Sequence, residues 1–466
     1  MMSGLYSELK NYENSDMYRF HMPGHKGYGE REYFGIDITE IDGFDNLHHA
    51  EGIIADEMKR AIEYYGSEKT YYLVNGSSCG ILSAISAAAF VKKGKILMSR
   101  NSHKSAYNAV FLNRLESAYI YPQYIHKMGI NGGINPADVD KLIRENVEIS
   151  CIFITSPTYE GIVSDIKAIA DIAHAHKIPL IVDEAHGAHF GIHGSFPVSA
   201  IALGADIVIQ SVHKTLPSLT QTALLHIGKN SLISRESVEQ FLSIYQSSSP
   251  SYVLMSAIGN CLDDLISGRA DMEIDRYVEA LDDFYQFAKG LKKIKVLDER
   301  IVKSDSVYDF DRGKIVISTG SSKLSGEELY EILREKYRLQ PEMASGNYVI
   351  CMTSYKDKKE GFDRLKVALA EVDKSVAEGD ENEYKVPFFE AKINQTIFEA
   401  MNIKSDKYMN VSDAVGKTAL TYSYVYPPGI PIIAPGEVVT DEVVMAVKKY
   451  KAAGLVIKGE EIKYGD

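Results

Sequence analysis

The chain has 466 residues, of which 45% are hydrophobic and 25% charged, so extensive intrinsic disorder is excluded. Its 51 lysines and arginines against 64 aspartates and glutamates give a formal net charge of −13, which argues against a protein that wraps nucleic acid. The N-terminal segment lacks an apolar signal-peptide core, the longest uncharged small-residue stretch is too short to span a bilayer, and the four cysteines are far apart. We therefore expect a cytoplasmic protein with no membrane contact, no disulfide framework and no metal site.

Residues 1–55 mix glycine, proline, histidine and aromatic side chains without clear periodicity, which predicts an extended N-terminal arm. From residue 56, short strands that are apolar on both faces alternate with helices, as is typical of a mostly parallel sheet flanked by helices. The predicted strands are Thr70–Val74, Lys95–Ser99, Cys151–Thr155, Pro179–Asp183, Asp206–Gln210 and Thr222–Ile227. The predicted helices are Ala55–Tyr65, Gly80–Val91, Pro136–Asn146, Ile166–His176 and Val198–Leu203. Residues 56–290 are therefore expected to form a large α/β domain.

The pattern of the remaining residues predicts a long helix followed by two smaller domains. A long helical pattern runs from Met255 to about Lys293. A small α+β domain over 291–375 follows, with the strands Gly313–Ser318 and Tyr348–Thr353 and the helix Ser325–Tyr337, in which Ser325 and Glu328 form a capping box. A charged linker over 375–385 precedes a C-terminal domain over 386–466, which carries a proline-rich turn and a final helix.

A lysine follows one of the predicted strands, in the segment Ser211–Thr215. A free cation is costly at the end of a buried strand, whereas a lysine amine with a lowered pKa forms Schiff bases with carbonyl groups. Lys214 is therefore a candidate nucleophile. The alternative is a lysine that extends to the surface, and this segment alone does not distinguish the two.

Three further strand ends carry complementary polar groups. Asp183 is able to keep a pyridine nitrogen protonated, or else caps a helix or binds a metal. Ser77 and Ser78 lie in a turn before a helix, where backbone N–H groups and hydroxyls bind anions, although glycine and serine are common in any tight turn. His103 either stacks on a flat ring or is an ordinary loop histidine.

These four groups are all predicted at the C-terminal ends of strands, where open α/β sheets bind their ligands. They offer an amine, an acid for a pyridine nitrogen, an anion cup and a planar stacking group. Pyridoxal 5′-phosphate (PLP) requires this combination.

The sequence resembles the Orn/Lys/Arg decarboxylase family, PLP enzymes of fold type I, in its short Gram-positive-like form. The matching segments run in order along almost the whole chain: FHMPGHKG (20–27), DNLHHAEG (45–52), NGSSCG (75–80), RNSHKS (100–105), TSPTYEG (155–161), DEAHGAHF (183–190), SVHKTLPSLTQTA (211–223), SSSPSY (247–252), QPEM (340–343) and YPPGIP–APGE (426–437). The sequence departs from the family pattern in the turn Ser77–Cys79, where Thr commonly follows Ser, at Met343–Ser345 and at Thr421. The cofactor residues are intact, while the identity of the substrate stays open.

The resemblance implies a role for each matching residue. Lys214 would hold PLP as a Schiff base, Asp183 would pair with the pyridine nitrogen and His103 would stack on the ring. His186 would lie near the phenolic oxygen of the ring. The residues around the phosphate would be Ser77, Ser78, Ser211 and His213. The family's active site lies at a dimer interface, so Ser248 and Ser249 would reach the cofactor phosphate of the partner subunit, and the HMPGHKG loop would line the entrance. A homodimer or a higher even oligomer is expected.

The resemblance predicts a PLP-dependent decarboxylase that converts arginine, lysine or ornithine into a polyamine-type amine and CO2. Another fold-type-I enzyme such as an aminotransferase is an alternative, although no arginine follows Arg364 to clamp a substrate carboxylate. Further alternatives are a non-catalytic PLP-fold protein and a metal-binding protein that uses His186, His189 and His193. Glu342 is a weak candidate for contact with the cationic end of the substrate, and a solvent-exposed loop acid is the favoured interpretation.

Overall fold

The computed structural model describes residues 4–15, 17, 19, 22–23, 25–27, 32–125, 128–146, 148–302, 307–379, 389–426, 430–452 and 455–465. The chain divides into two compact units. The first consists of Met1–Lys92 and Ile166–Asp275, and the second of Lys93–Asp165 and Arg276–Asp466. The four-domain division expected from the sequence stays a prediction.

The first unit contains four strands of sheet in the order Lys69–Leu73, Ala223–Ile227, Ile207–Gln210 and Leu180–Asp183. The last two strands are parallel, whereas Ala223–Ile227 is antiparallel to both of its neighbours. Every residue of the last three strands is buried, because helices of the same unit pack against them. The helices are Leu5–Glu13, Tyr33–Ile36, Ile53–Tyr65, Gly76–Val91, Ile166–Ala175, Val212–Thr215, Arg235–Tyr245 and Tyr252–Ile266, with a 3-10 turn at Leu47–His49.

The second unit contains the parallel strands Ile149–Thr155, Lys95–Ser99 and Glu116–Ile120, in that order. A four-stranded antiparallel sheet follows the order Lys295–Val296, Lys314–Ser318, Tyr348–Met352 and Met343–Ser345. Two-stranded ribbons pair Ile162–Val163 with Asp309–Phe310 and Tyr124–Ile125 with Ile130–Asn131. The helices are Lys104–Asn113, Pro136–Glu145, Gly326–Tyr337, Lys359–Ser375, Ile397–Asn402 and Asp441–Ala452, with 3-10 turns at Glu299–Ile301 and Val411–Asp413. Helix Asp271–Ala288 carries the chain into this unit from the first.

The C-terminal region of the second unit is rich in short strands. One sheet has the order Lys392–Ile393, Glu437–Val438, Thr418–Ala419, Glu461–Gly465 and Tyr408–Asn410, and a second has the order Ile430–Ile433, Ser423–Tyr426 and Val456–Lys458. Val411, Ile433 and Ile462 are fully buried in the core that these sheets share with helix Asp441–Ala452. The predicted linker lies partly outside the described residues.

The prediction of an extended arm over 1–55 is wrong for Leu5–Glu13, which form a helix. Leu5 and Leu9 are one helical turn apart and both are fully buried. Two apolar residues are too few to produce a recognisable period in the sequence, so the helix depends on the surface that it packs against.

Two predicted helices are also wrong. Val198–Leu203 do not form a helix: Ala200–Leu203 are turns, and the Glu184 carboxylate accepts hydrogen bonds from the Ser199 hydroxyl and the Ala200 N–H. The long pattern from Met255 to Lys293 is two helices, Tyr252–Ile266 and Asp271–Ala288, interrupted where Gly268 adopts a φ of +73°.

Among the described residues, no helix has both the length and the apolar character needed to cross a lipid bilayer.

Candidate active site

Lys214 lies in the short helix Val212–Thr215, directly after the strand Ile207–Gln210. Its side chain is exposed. Its Nζ lies 3.1 Å from Nε2 of His186, a buried residue on the turn after the strand Leu180–Asp183. The ends of two adjacent parallel strands therefore bring an amine and an imidazole into hydrogen-bonding contact.

Asp183 is the last residue of its strand and is 4% exposed. Burial raises the pKa of its carboxyl group, while the nearby charge of Lys214 and the Ala185 N–H partly oppose that increase. The Ala185 N–H donates to Oδ1 at 3.1 Å. A buried carboxylate with a cation nearby is suited to hold a proton on a basic nitrogen.

The predicted anion cup forms the first turn of a helix. The helix begins at Gly76, one turn earlier than the sequence predicts, because Gly76 adopts a φ of +73° that starts the turn there. Ser77 and Ser78 thus lie where helix N–H groups have no partner within the helix and where the helix dipole favours an anion. The hydroxyl of Ser77 lies 2.5 Å from that of Ser211, which is fully buried and precedes the Lys214 helix. This contact joins the cup to the strand end that carries Lys214.

The remaining predicted phosphate residues of this unit lie close by in the fold. His213 is half-buried, and its Nδ1 lies 2.9 Å from the Thr222 carbonyl oxygen. Burial lowers the pKa of His213, the Thr222 carbonyl partly opposes this, and the charge of Lys214 lowers it further. Ser248 and Ser249 are exposed in a loop that Asn75 anchors, because the Asn75 side chain accepts the Ser247 N–H at 3.0 Å.

His103 belongs to the second unit and begins the helix Lys104–Asn113. Its ring is exposed, and Nδ1 lies 2.7 Å from the Ser105 hydroxyl and accepts the Ser105 N–H. The neighbouring Arg100 is buried and pairs with Glu437 at 3.1 Å. This motif therefore combines a buried structural anchor with an exposed imidazole, and the stacking role of His103 stays a prediction.

The three histidines of the metal-binding alternative have different partners. His189 packs against the rings of Phe190 and Phe196, and His193 lies 3.9 Å from Asp275. Within the described ranges, no group of three or more His, Cys, Asp or Glu side chains is arranged to hold a metal ion. Glu342 is exposed and accepts a hydrogen bond of 2.6 Å from the Tyr159 hydroxyl.

Glu184 and Gln210 are not among the residues predicted for the site. Glu184 follows Asp183 and is 2% exposed, and Gln210 precedes Ser211 and is fully buried. The Gln210 amide donates to the Glu184 carboxylate at 2.7 Å, which links the two strand ends. The sequence feature that could have revealed them is a glutamate and a glutamine at the ends of apolar strands, each next to a candidate site residue.

Solved structures with similar folds define the fold class. The lysine decarboxylase of Francisella novicida superposes with a TM-score of 0.81 at 18% identity, over 99% of this chain and 81% of that chain. A serine palmitoyltransferase (SPT) solved with PLP gives a TM-score of 0.55 at 12% identity, over 80% of this chain and 84% of that chain. The predicted fold class, the PLP-dependent transferase fold of type I with its parallel-rich sheet and C-terminal α+β region, is confirmed.

The family follows from sequence comparison. Residues 3–319 match the model of the Orn/Lys/Arg decarboxylase major domain, and residues 382–453 match the model of that family's C-terminal domain. The chain is also 31% identical to an arginine decarboxylase of Bacillus subtilis (strain 168), over 98% of this chain and 95% of the relative. The chain belongs to the Orn/Lys/Arg decarboxylase family and is a decarboxylase of basic amino acids. This favours decarboxylation over the aminotransferase and non-catalytic alternatives.

Proposed function

We propose that this protein is a PLP-dependent decarboxylase that converts a basic amino acid, with arginine as the first candidate, into the corresponding amine and CO2. The observation that carries the proposal is the convergence of three groups within the first unit. These groups are the Lys214 amine, the buried Asp183 carboxylate, and the cup in which the Ser77 and Ser211 hydroxyls meet. Arginine is the first candidate because the Bacillus subtilis relative, aligned over almost its whole length, bears that name.

The chemistry of these groups fits PLP. An exposed amine suits an aldehyde, a buried acid suits a pyridine nitrogen, and the N-terminal turn of a 16-residue helix together with two hydroxyls suits a phosphate. When bound, PLP supplies an electron-poor ring that accepts the electron pair released when CO2 leaves the substrate.

The chain's own residues select the reaction and handle the protons. Asp183 would hold a proton on the pyridine nitrogen, since burial disfavours its charge unless a cation is close. Nζ of Lys214 would return a proton to Cα of the substrate, and Nε2 of His186, which lies 3.1 Å from that amine, would exchange a proton with it. We further assign His103 to the face of the ring and His213 and Ser78 to the surroundings of the phosphate.

We also propose that the active protein is a homodimer in which Ser248 and Ser249 complete the phosphate site of the partner. The helix Arg235–Tyr245 leads directly into this loop, and its Ile244 is 59% exposed. Phe90 is 63% exposed and packs its ring against Phe241 of the same helix. An apolar surface next to the loop supports an interface between two copies at this place.

The central test is a decarboxylation assay with arginine, lysine and ornithine. We expect CO2 release by the wild type and nearly complete loss in Lys214→Ala, since the amine that binds the aldehyde is gone. Lys229→Ala, which removes an exposed lysine of the same unit, is the matched control and should retain activity. Borohydride reduction followed by peptide mapping should label Lys214. Labelling of another lysine, or a wild type that releases no CO2 from any of the three, would refute the proposal.

The shared site is tested by co-expressing Lys214→Ala with the double variant Ser248→Ala/Ser249→Ala. If the serines act across the interface, one of the two sites in each hybrid dimer has all wild-type residues. Activity should then exceed the sum of the two parent variants. No recovery in a verified hybrid dimer would show that the serines act within their own subunit.

A further inference from the structure

A buried row of side-chain hydrogen bonds crosses the four strands of the first unit. It begins at Ser67, which contacts Thr70 at 2.8 Å, and Thr70 contacts Nδ1 of His226 at 2.8 Å. Nε2 of His226 lies 3.1 Å from Oε1 of Gln210, whose Nε2 lies 2.7 Å from Glu184. We call these five residues the Glu184 chain. None of them is more than 3% exposed, so water does not compete for their hydrogen bonds.

Each of the four strands either carries one member of the Glu184 chain or leads directly into one. Thr70 lies on Lys69–Leu73 and His226 on Ala223–Ile227, while Gln210 ends Ile207–Gln210 and Glu184 directly follows Leu180–Asp183. Three of these strands lead into candidate site residues, namely Ser77, Ser211 and Asp183. The chain therefore connects the sheet positions from which the cofactor site is built.

The chemistry of the groups fixes the direction of these hydrogen bonds when Glu184 is ionised. A carboxylate only accepts, so Gln210 must turn its NH2 group towards Glu184 and its oxygen towards His226. His226 then carries its proton on Nε2, and its bare Nδ1 accepts from the Thr70 hydroxyl. His226 is neutral, because complete burial lowers its pKa to about 3. Every hydrogen bond of the chain thus points towards Glu184.

The same groups also form a complete set of hydrogen bonds when every donor and acceptor along the chain exchanges its role. If Glu184 binds one proton, its O–H donates to the Gln210 oxygen after that amide has turned over. The Gln210 NH2 group then donates to Nε2 of His226. His226 gives up its Nε2 proton and takes one on Nδ1, which donates to Thr70. The net change is one proton gained at Glu184, and no group is left unpaired.

Glu184 is held in the position from which it controls this direction. Its carboxylate also accepts the Ser199 hydroxyl at 2.6 Å and the Ala200 N–H at 2.7 Å. Its pKa is raised to about 7, because burial and, to a smaller extent, the charge of Asp183 raise it more than these donors and the Gln210 amide lower it. From the neighbouring strand and turn it meets amide, hydroxyl and backbone groups, and Gln210 connects it to His226 across the sheet.

We propose that Glu184 is a positioning residue of the decarboxylase: its carboxylate sets the direction of the chain from Ser67 to Gln210, holds the strand ends beneath the site in register, and places a negative charge beside Asp183. The effect on catalysis rests on the proposed function, whereas the direction of the chain does not. The negative charge of Glu184 favours a positive charge on the nitrogen that Asp183 would pair with, so it would help to keep that nitrogen protonated.

The direct test is neutron diffraction of deuterated crystals grown in alkaline buffer, where Glu184 is ionised. Wild type should carry deuterium on Nε2 of His226. In Glu184→Gln, the new amide donates to Gln210 and reverses the chain, so deuterium should move to Nδ1. The exchange variant Glu184→Gln/Gln210→Glu puts a carboxylate beside His226 and should return the deuterium to Nε2. The same nitrogen deuterated in all three proteins would overturn the proposal.

Kinetics supply the second readout. Glu184→Gln should lower kcat about tenfold while KM stays nearly unchanged, because the variant alters the proton on the site nitrogen and not the contacts to the substrate. Glu63→Gln, which removes an exposed carboxylate from the same unit, should leave both parameters unchanged. An unchanged kcat in Glu184→Gln would refute the positioning role. Absence of decarboxylation by the wild type would instead refute the proposed function, while the neutron result would still decide the direction of the chain.

Discussion

Glu57 offers a quantitative test of how the N-terminal segment is attached. Its side chain is 4% exposed, and its Oε1 accepts the Leu5 N–H at 2.8 Å, at the start of the helix Leu5–Glu13. The Tyr72 hydroxyl lies 3.4 Å from Oε2. Burial raises the pKa of Glu57 from 4.5 to about 6, although the Leu5 N–H and the charge of Arg60 act in the opposite direction.

The raised pKa predicts how stability depends on pH. Between pH 4.5 and about 6 the folded protein holds a proton on Glu57 that the unfolded chain has lost. The stabilisation is therefore present in full below pH 4.5 and is lost as the pH rises through about 6. The difference between these two pKa values corresponds to about 2 kcal/mol, at about 1.4 kcal/mol for each pH unit.

Glu57→Gln should remove this dependence, because its amide is neutral at every pH and still accepts the Leu5 N–H. The free energy of unfolding of Glu57→Gln relative to wild type should rise by about 2 kcal/mol between the acidic and the neutral end of this window. Urea unfolding at a series of pH values measures it. Glu63→Gln lies on the same helix with an exposed side chain and should show no such change. A constant difference between Glu57→Gln and wild type across the window would refute the reasoning.

Two further predictions concern the cofactor cup and the second unit. Gly76→Ala should destabilise the turn by about 1–2 kcal/mol, because a Cβ is strained at a φ of +73°, and should weaken PLP binding in a fluorescence titration; unchanged affinity would contradict the cup. Arg100→Met should destabilise the protein by about 3–5 kcal/mol, because it leaves Glu437 buried without its cation, whereas Arg100→Met/Glu437→Leu should regain most of that loss in thermal unfolding. Equal destabilisation of the single and the double variant would show that the pair is not coupled.

The local pattern of the sequence predicted most of the sheet. The strand Lys95–Ser99 has the predicted ends, and the other predicted strands of the large region differ by at most two residues at either end. Runs of apolar residues between turns are sufficient for this, because a strand covered on both faces needs them wherever it lies in the sheet. The strand Glu116–Ile120 was missed, since its first three residues are not buried and give no apolar run. The capping box of Ser325 and Glu328 is confirmed.

The site was predictable in part for a chemical reason. Lys214, Asp183 and Ser77 belong to residue types that PLP requires, and each lies at or just after the C-terminal end of a strand. Their convergence was therefore expected from the position of these strand ends at one edge of the sheet. The contacts at 3.1 Å between Lys214 and His186 and at 2.5 Å between Ser77 and Ser211 join residues 28 and 134 positions apart, and no local pattern specifies such distances.

The sequence by itself determined most strands of the large sheet, several of the helices, and the family to which the chain belongs, because these depend on residue order and on periods of a few residues. Only the tertiary structure decided that Glu184 is buried and terminates a directed row of hydrogen bonds, that Val198–Leu203 are turns, and that Leu5 and Leu9 are buried. The physical reason is that burial and hydrogen-bond partners are properties of the assembled sheet: a glutamate has the same chemistry at every position of the sequence until its neighbours determine whether it meets water, a donor or a second charge.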